Sequence, residues 1–150
     1  MIKLKNILKN EKNKRKMIPE SFSATADTEY GEFVVKLLSI RDQSHIFHWQ
    51  TDSFARHEAF GSFYDEYLEL IDELVESIMG LIGRPKIGNA TIHLVDYSPE
   101  ALIDFIEGIY PVLSDELEMV LGDINSEEIL DQARVVLLLV DKLKYLLSLK

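Results

Sequence analysis

The stretch "HIFHWQTDSFARHEAFGSFYDEYLELIDELVESIMGLIGRP", residues 45–85, decides how this chain is read. It holds three of the four histidines and the only tryptophan of a 150-residue sequence. Apolar residues recur at three and four spacing through Phe60, Phe63, Tyr64, Tyr67, Leu70, Ile71, Leu74, Ile78 and Leu81. That period keeps one helical face apolar. "GRP" at Gly83–Pro85 is a stop signal. The spacing therefore predicts a helix from about Phe54 to Ile82, entered through the turn "QTDS".

Working outward, a preceding helix is predicted from a cap near Asp27, through Phe33, Val34, Leu37, Leu38, Ile40, Phe47 and Trp49, to about Thr51. After a long loop, "SPE" opens a third helix with Ser98 as cap, Pro99 in the first helical position and Glu100 at the positive end of the dipole. Pro111 predicts a kink or break inside it. Asn125 or Ser126 caps a last helix from about Glu127 to Leu149, apolar nearly all round from Val135 to Val140 as for a helix packed on several sides. No segment alternates like a strand and no repeat is present. The expected fold is an all-α four-helix bundle with a long loop between the second and third helices.

Length allows one domain, here residues 21–150 behind a basic tail, residues 1–20. Without cysteine there is no disulfide framework, thiolate zinc site or thiol nucleophile. The N-terminus has no continuous apolar run and the last helix is interrupted by charges, so a cytoplasmic protein without a membrane span is expected. Net charge is −10, yet residues 1–16 carry Lys3, Lys5, Lys9, Lys12, Lys14, Arg15 and Lys16 against Glu11 alone. The acidic remainder repels nucleic acid and attracts cations, which leaves the tail as the one segment suited to DNA phosphates.

His45 and His48, three apart, share a helix face, and His57 opens the next helix nine residues on. Asp72 and Glu76 lie four apart farther along that second helix. Imidazole with paired carboxylate is a ligand mix for divalent iron, zinc or manganese. His57 and Asp72 are fifteen residues apart, roughly 22 Å along a continuous helix, whereas ligands of one metal lie about 2 Å from it. One chain cannot close that gap. Two chains related by a two-fold axis can, with antiparallel second helices bringing Asp72 and Glu76 of one to His48 and His57 of the other.

"HW" at His48–Trp49, then "RHEAF", then "DELVE" fifteen residues after His57, resembles the Dps family of ferritin-like proteins (DNA-binding protein from starved cells). The C-terminal "GDINSEEILDQARVVLLLVDKLKYLLSLK" is similar to that family's last helix, so the resemblance spans about residues 27–149. It implies a ferritin-like bundle assembled into a hollow dodecamer. It also implies an inter-subunit centre, dinuclear or mononuclear, at which His48, His57, Asp72 and Glu76 bind ferrous iron for oxidation by peroxide or oxygen, the ferric mineral being stored inside and DNA protected; Gly61 in place of a carboxylate leaves a second iron poorly held. A lysine-rich tail on such cages binds DNA.

Three positions depart from the family pattern. The carboxylate expected one turn after the second histidine is Gly61, with Asp65 and Glu58 as neighbouring acids; the arginine after the final glutamate is Ser77; and the turn between the histidines is shorter. These departures favour a second expectation, a ferritin-like structural or interaction protein, phage-encoded in origin, that has lost the oxidation chemistry. The plainer readings are packing roles for His45 and Trp49, no role for His93, a solvated acidic face at Asp72, Glu73 and Glu76, and a solubilising tail.

Overall fold

The computed structural model describes residues 24–149, so the basic tail and its proposed DNA contacts lie outside the described residues. The order is β1 (Ala24–Thr25), α1 (Glu29–Gln50), α2 (Phe54–Ile82), β2 (Thr91–Ile92), α3 (Pro99–Pro111), a π-helical turn (Val112–Glu116), α4 (Leu117–Leu121) and α5 (Glu127–Ser148). The fold is all-α, with one small addition. β1 and β2 pair antiparallel, Ala24 opposite Ile92 and Thr25 opposite Thr91, and two residues per strand are too few to leave an alternating pattern in the sequence.

Helix ends follow their capping chemistry. Thr28 caps α1 rather than Asp27: its hydroxyl accepts from the Gly31 N–H and donates to the Lys86 carbonyl at 2.7 Å, a long-range bond that local pattern does not encode. Ser53 caps α2, Ser98 caps α3 as expected, and of the two candidates for α5 it is Ser126 that caps it. Gly83 ends α2 at φ 88°, a conformation other residues resist.

Pro111 does not break the third helical segment. Lacking an N–H, it ends the regular ladder, and the chain widens into the π-helical turn before resuming as α4. The Ser114 hydroxyl donates to the Tyr110 carbonyl at 2.8 Å beside this irregularity. The turn also points Glu116 inward, where both carboxylate oxygens accept from Lys36 Nζ at 2.9 and 3.0 Å, with Glu32 on its other side at 3.0 Å. Burial alone would lower the Lys36 pKa. Hydrogen bonds and charge from Glu116, then Glu32, outweigh it and raise the ammonium above an ordinary lysine.

α2 is the central element and packs along both α1 and α5. Phe33, Phe47, Phe60, Phe63, Tyr67 and Phe105 are the largest fully buried side chains. Phe47 meets Phe60, Tyr97 and Phe105 edge-on at 5.4 to 5.8 Å. Tyr67 is wholly buried, which pushes its phenol well above the ordinary value, and its hydroxyl donates to the Leu37 carbonyl at 2.9 Å.

The expectation that α5 is covered on several sides is corrected within one chain, since Val135, Leu138 and Tyr145 on its outer side are exposed, Leu138 at 66%. A single chain supplies only one packing partner layer for this helix. Leu38, Trp49 and Leu81, read as part of the apolar helical pattern, are exposed as well. Among the described residues no helix is long and apolar enough to cross a membrane.

Candidate metal centre

The three-residue link Thr51–Ser53 folds α2 back against the end of α1, and this hairpin brings the two histidines together. Thr51 Oγ1 accepts from the Ser53 N–H at 3.3 Å, tightening the link. The His48 and His57 rings stack with centroids 3.7 Å apart and planes 22° from parallel.

The two residues hold one another reciprocally. His48 Nδ1 donates to the His57 carbonyl at 2.7 Å, and His57 Nδ1 donates to the His48 carbonyl at 2.9 Å. A carbonyl oxygen only accepts, so each Nδ1 carries the hydrogen and a neutral ring leaves its lone pair on Nε2. The His48 carbonyl lies in the last turn of α1, where no intrahelical donor follows, which is why it is free to accept. Neither Nε2 has a hydrogen-bond partner among the described residues, and neither is a sealed orphan. Two stacked imidazoles, each with its Nε2 lone pair uncommitted, are what the chain offers.

His45 does not join them. Its ring lies between Trp49 (4.1 Å) and Tyr64 (4.2 Å) and 6.0 Å from His48, which gives it a packing role. His93 is exposed in the α2–α3 loop.

Asp72 and Glu76 are exposed on the uninterrupted α2, about four turns beyond His57. The structure brings His48 to His57 and does not bring either acid to them. Among the described residues of one chain, no group of three or more His, Asp or Glu stands close enough to hold a metal. The buried acid Glu116 is already neutralised by Lys36, so the helix interior offers no free carboxylate to a cation. Asp65 and Glu58, the acids nearest in sequence to Gly61, are exposed.

Two residues that sequence reasoning passed over fix the surroundings. Gln43 Nε2 donates to the Val95 carbonyl while its Oε1 accepts from the Val95 N–H, both at 2.8 Å. Seven residues on, Gln50 Nε2 donates to Asp96 at 2.8 Å and its Oε1 accepts from the Tyr97 N–H at 2.6 Å. The Arg56 guanidinium donates to the Tyr97 hydroxyl at 2.7 Å. Together they strap the α2–α3 loop across the helix ends that carry the histidines. Two glutamines two turns apart on one helix are the signal that could have disclosed them.

Near the pair the surface is apolar as well as acidic, with Trp49 65% and Phe54 78% exposed, and Leu68, 42% exposed, continues it three turns along α2.

Comparison with known proteins adds relatives without a described activity. The chain is 28% identical over 103 residues, 63% of its own length and 77% of the other's, to an uncharacterized 14.6 kDa protein in the mobD-ri intergenic region of Enterobacteria phage T4. No solved structure matches the chain significantly. A family model matches residues 48–147, a span that begins at His48 and contains His57, Asp72 and Glu76. The chain belongs to that family, the family of unknown function DUF5856.

Proposed function

We propose that this chain is a ferritin-like, Dps-like miniferritin that binds ferrous iron at a centre completed across a two-fold axis. The observation that carries the reading is the reciprocal His48–His57 arrangement, which ties both Nδ1 atoms and leaves both Nε2 lone pairs uncommitted on half-buried rings. Neutral imidazole of fixed tautomer is a ligand for divalent iron, zinc or manganese. Asp72 and Glu76 of a partner subunit complete the set in an antiparallel pairing of α2 that sets His57 opposite Asp72.

In the reaction, ferrous iron is the substrate. Each ion gives up one electron, and a peroxide, which takes two, draws on two ions and is reduced to water or hydroxide. The histidines bind and orient the cation, and the partner's carboxylates neutralise its rising charge. The ferric product is stored in a closed assembly, a dodecamer in this reading, and iron-driven damage to DNA is prevented.

A second reading, a ferritin-like structural or interaction protein of phage type without oxidation chemistry, is favoured by Gly61, which removes a carboxylate from the centre. Light scattering and a ferrous titration under air on one sample separate the two. A cage-sized particle that oxidises iron to a saturating stoichiometry supports the miniferritin. A monomer or dimer that leaves oxidation at the buffer rate refutes it. The paired change His57→Ala, Asp72→Ala is expected to abolish ferrous binding with helix content unchanged, and undiminished oxidation in that variant would refute the site.

A further inference from the structure

Gly61 lies one turn beyond His57, in the interior of the unbroken α2. Glycine is the least favourable residue there after proline, so its presence calls for a packing reason. That reason is His48. A Cβ built on Gly61 would stand 3.2 Å from His48 Cε1 and 3.5 Å from its Nδ1, the first closer than the 3.5 to 4.0 Å at which carbon atoms ordinarily meet.

The ring is held from three directions. One face is stacked on His57 at 3.7 Å, its Nδ1 is tied to the His57 carbonyl at 2.7 Å, and Tyr64 stands edge-on to it at 5.4 Å. A shift of a few tenths of an ångström loosens the stack or the bond that sets the tautomer. The imidazole lying on the α2 backbone and a side chain at position 61 therefore compete for the same space.

We infer that Gly61 is a positioning residue that seats His48 against α2 and restricts the centre to one divalent cation per histidine pair. The positioning rests on geometry alone. The one-cation limit rests on the metal-binding reading given under Proposed function. The absent carboxylate is then not a lost ligand: a carboxylate at 61 requires a Cβ that crowds the His48 seat. The cation class is one that accepts two imidazoles with carboxylate oxygens, such as Fe²⁺, Co²⁺ or Zn²⁺.

Cobalt(II) is the probe, titrated into the full-length protein and followed by its visible absorption. Nitrogen-15 NMR of the histidine rings in metal-free protein reports tautomer and seating without any metal. The unaltered chain is expected to take one Co²⁺ per chain. Gly61→Ala should retain helical circular dichroism, change the His48 ring nitrogen signals in the metal-free protein, and weaken Co²⁺ binding by about ten- to a hundredfold, as for loss of a ligand's supporting contact. Gly61→Asp should take no more than one Co²⁺ per chain.

Two Co²⁺ per chain in Gly61→Asp with unchanged ring signals would overturn the inference, leaving Gly61 a vacant ligand position. Ring signals and affinity unchanged in Gly61→Ala would overturn the positioning role. If the unaltered chain takes no Co²⁺ while Gly61→Ala still alters the His48 signals, the metal-binding reading and the one-cation limit fall and the positioning role stands.

Discussion

At the scale of single residues, the histidine pair shows how two unremarkable hydrogen bonds decide a chemical capacity. Each Nδ1 is committed to the other residue's carbonyl, so the site is set up before any cation arrives. Nitrogen-15 NMR of the metal-free protein should find both rings as the Nδ1–H tautomer when neutral, with His45 distinct from them. A neutral His48 protonated on Nε2 would contradict the assignment. In the proposed centre, replacing His48 with alanine removes a ligand and the donor to the His57 carbonyl together, and Co²⁺ binding should fall by at least about a hundredfold by titration.

At the scale of elements, α1 and α2 depend on buried anchors. Phe47 is fully buried among three aromatic neighbours, and Phe47→Ala should lower unfolding stability by about 3 to 5 kcal/mol in urea denaturation. Lys36→Met leaves Glu116 buried without its cation, a loss of about 3 kcal/mol, the low end for such pairs because Glu116 retains slight exposure. The pair also sets a pH dependence. The folded Lys36 pKa is raised, so its contribution is fully present below the ordinary lysine value, about 10.4, and is lost as pH rises through the folded value. Denaturation midpoints should fall more steeply above about pH 10 in the unaltered protein than in Lys36→Met/Glu116→Leu. Equal slopes would refute the contribution.

These elements also show what was legible beforehand. The periodic apolar face and "GRP" stop located α2 at both ends, and the Ser98–Pro99 signal located α3, because caps and breakers act within a few residues. The pairing of His48 with His57 followed from a short turn. Contacts between distant positions were hidden: Thr28 with Lys86, Gln43 with Val95 and Lys36 with Glu116 join segments 52 to 80 residues apart. Gly61 was legible as a missing carboxylate but not as the floor under an imidazole, which takes the packing of two helices to see. The same limit placed Leu138 and Val135 in a core, since periodicity does not distinguish a face covered by its own chain from one left open.

At the scale of the whole molecule, the exposed Val135, Leu138 and Tyr145 on α5, Trp49 and Phe54 beside the histidines, and Leu68 three turns along α2 are more apolar surface than a solitary chain gains from exposing. The proposed assembly covers such surfaces. Leu138→Arg should give a smaller particle by light scattering, with helix content retained.

The central claim is that two imidazoles from one chain and two carboxylates from another hold one cation, and subunit mixing tests it most directly. His48→Ala/His57→Ala and Asp72→Asn/Glu76→Gln chains should each fail to bind Co²⁺. Refolded together in equal amounts, half the dimers are mixed and each mixed dimer has one of its two centres intact, so about a quarter of the binding capacity should return. No recovery in dimers shown to be mixed, or binding by either variant alone, would contradict a centre shared between chains.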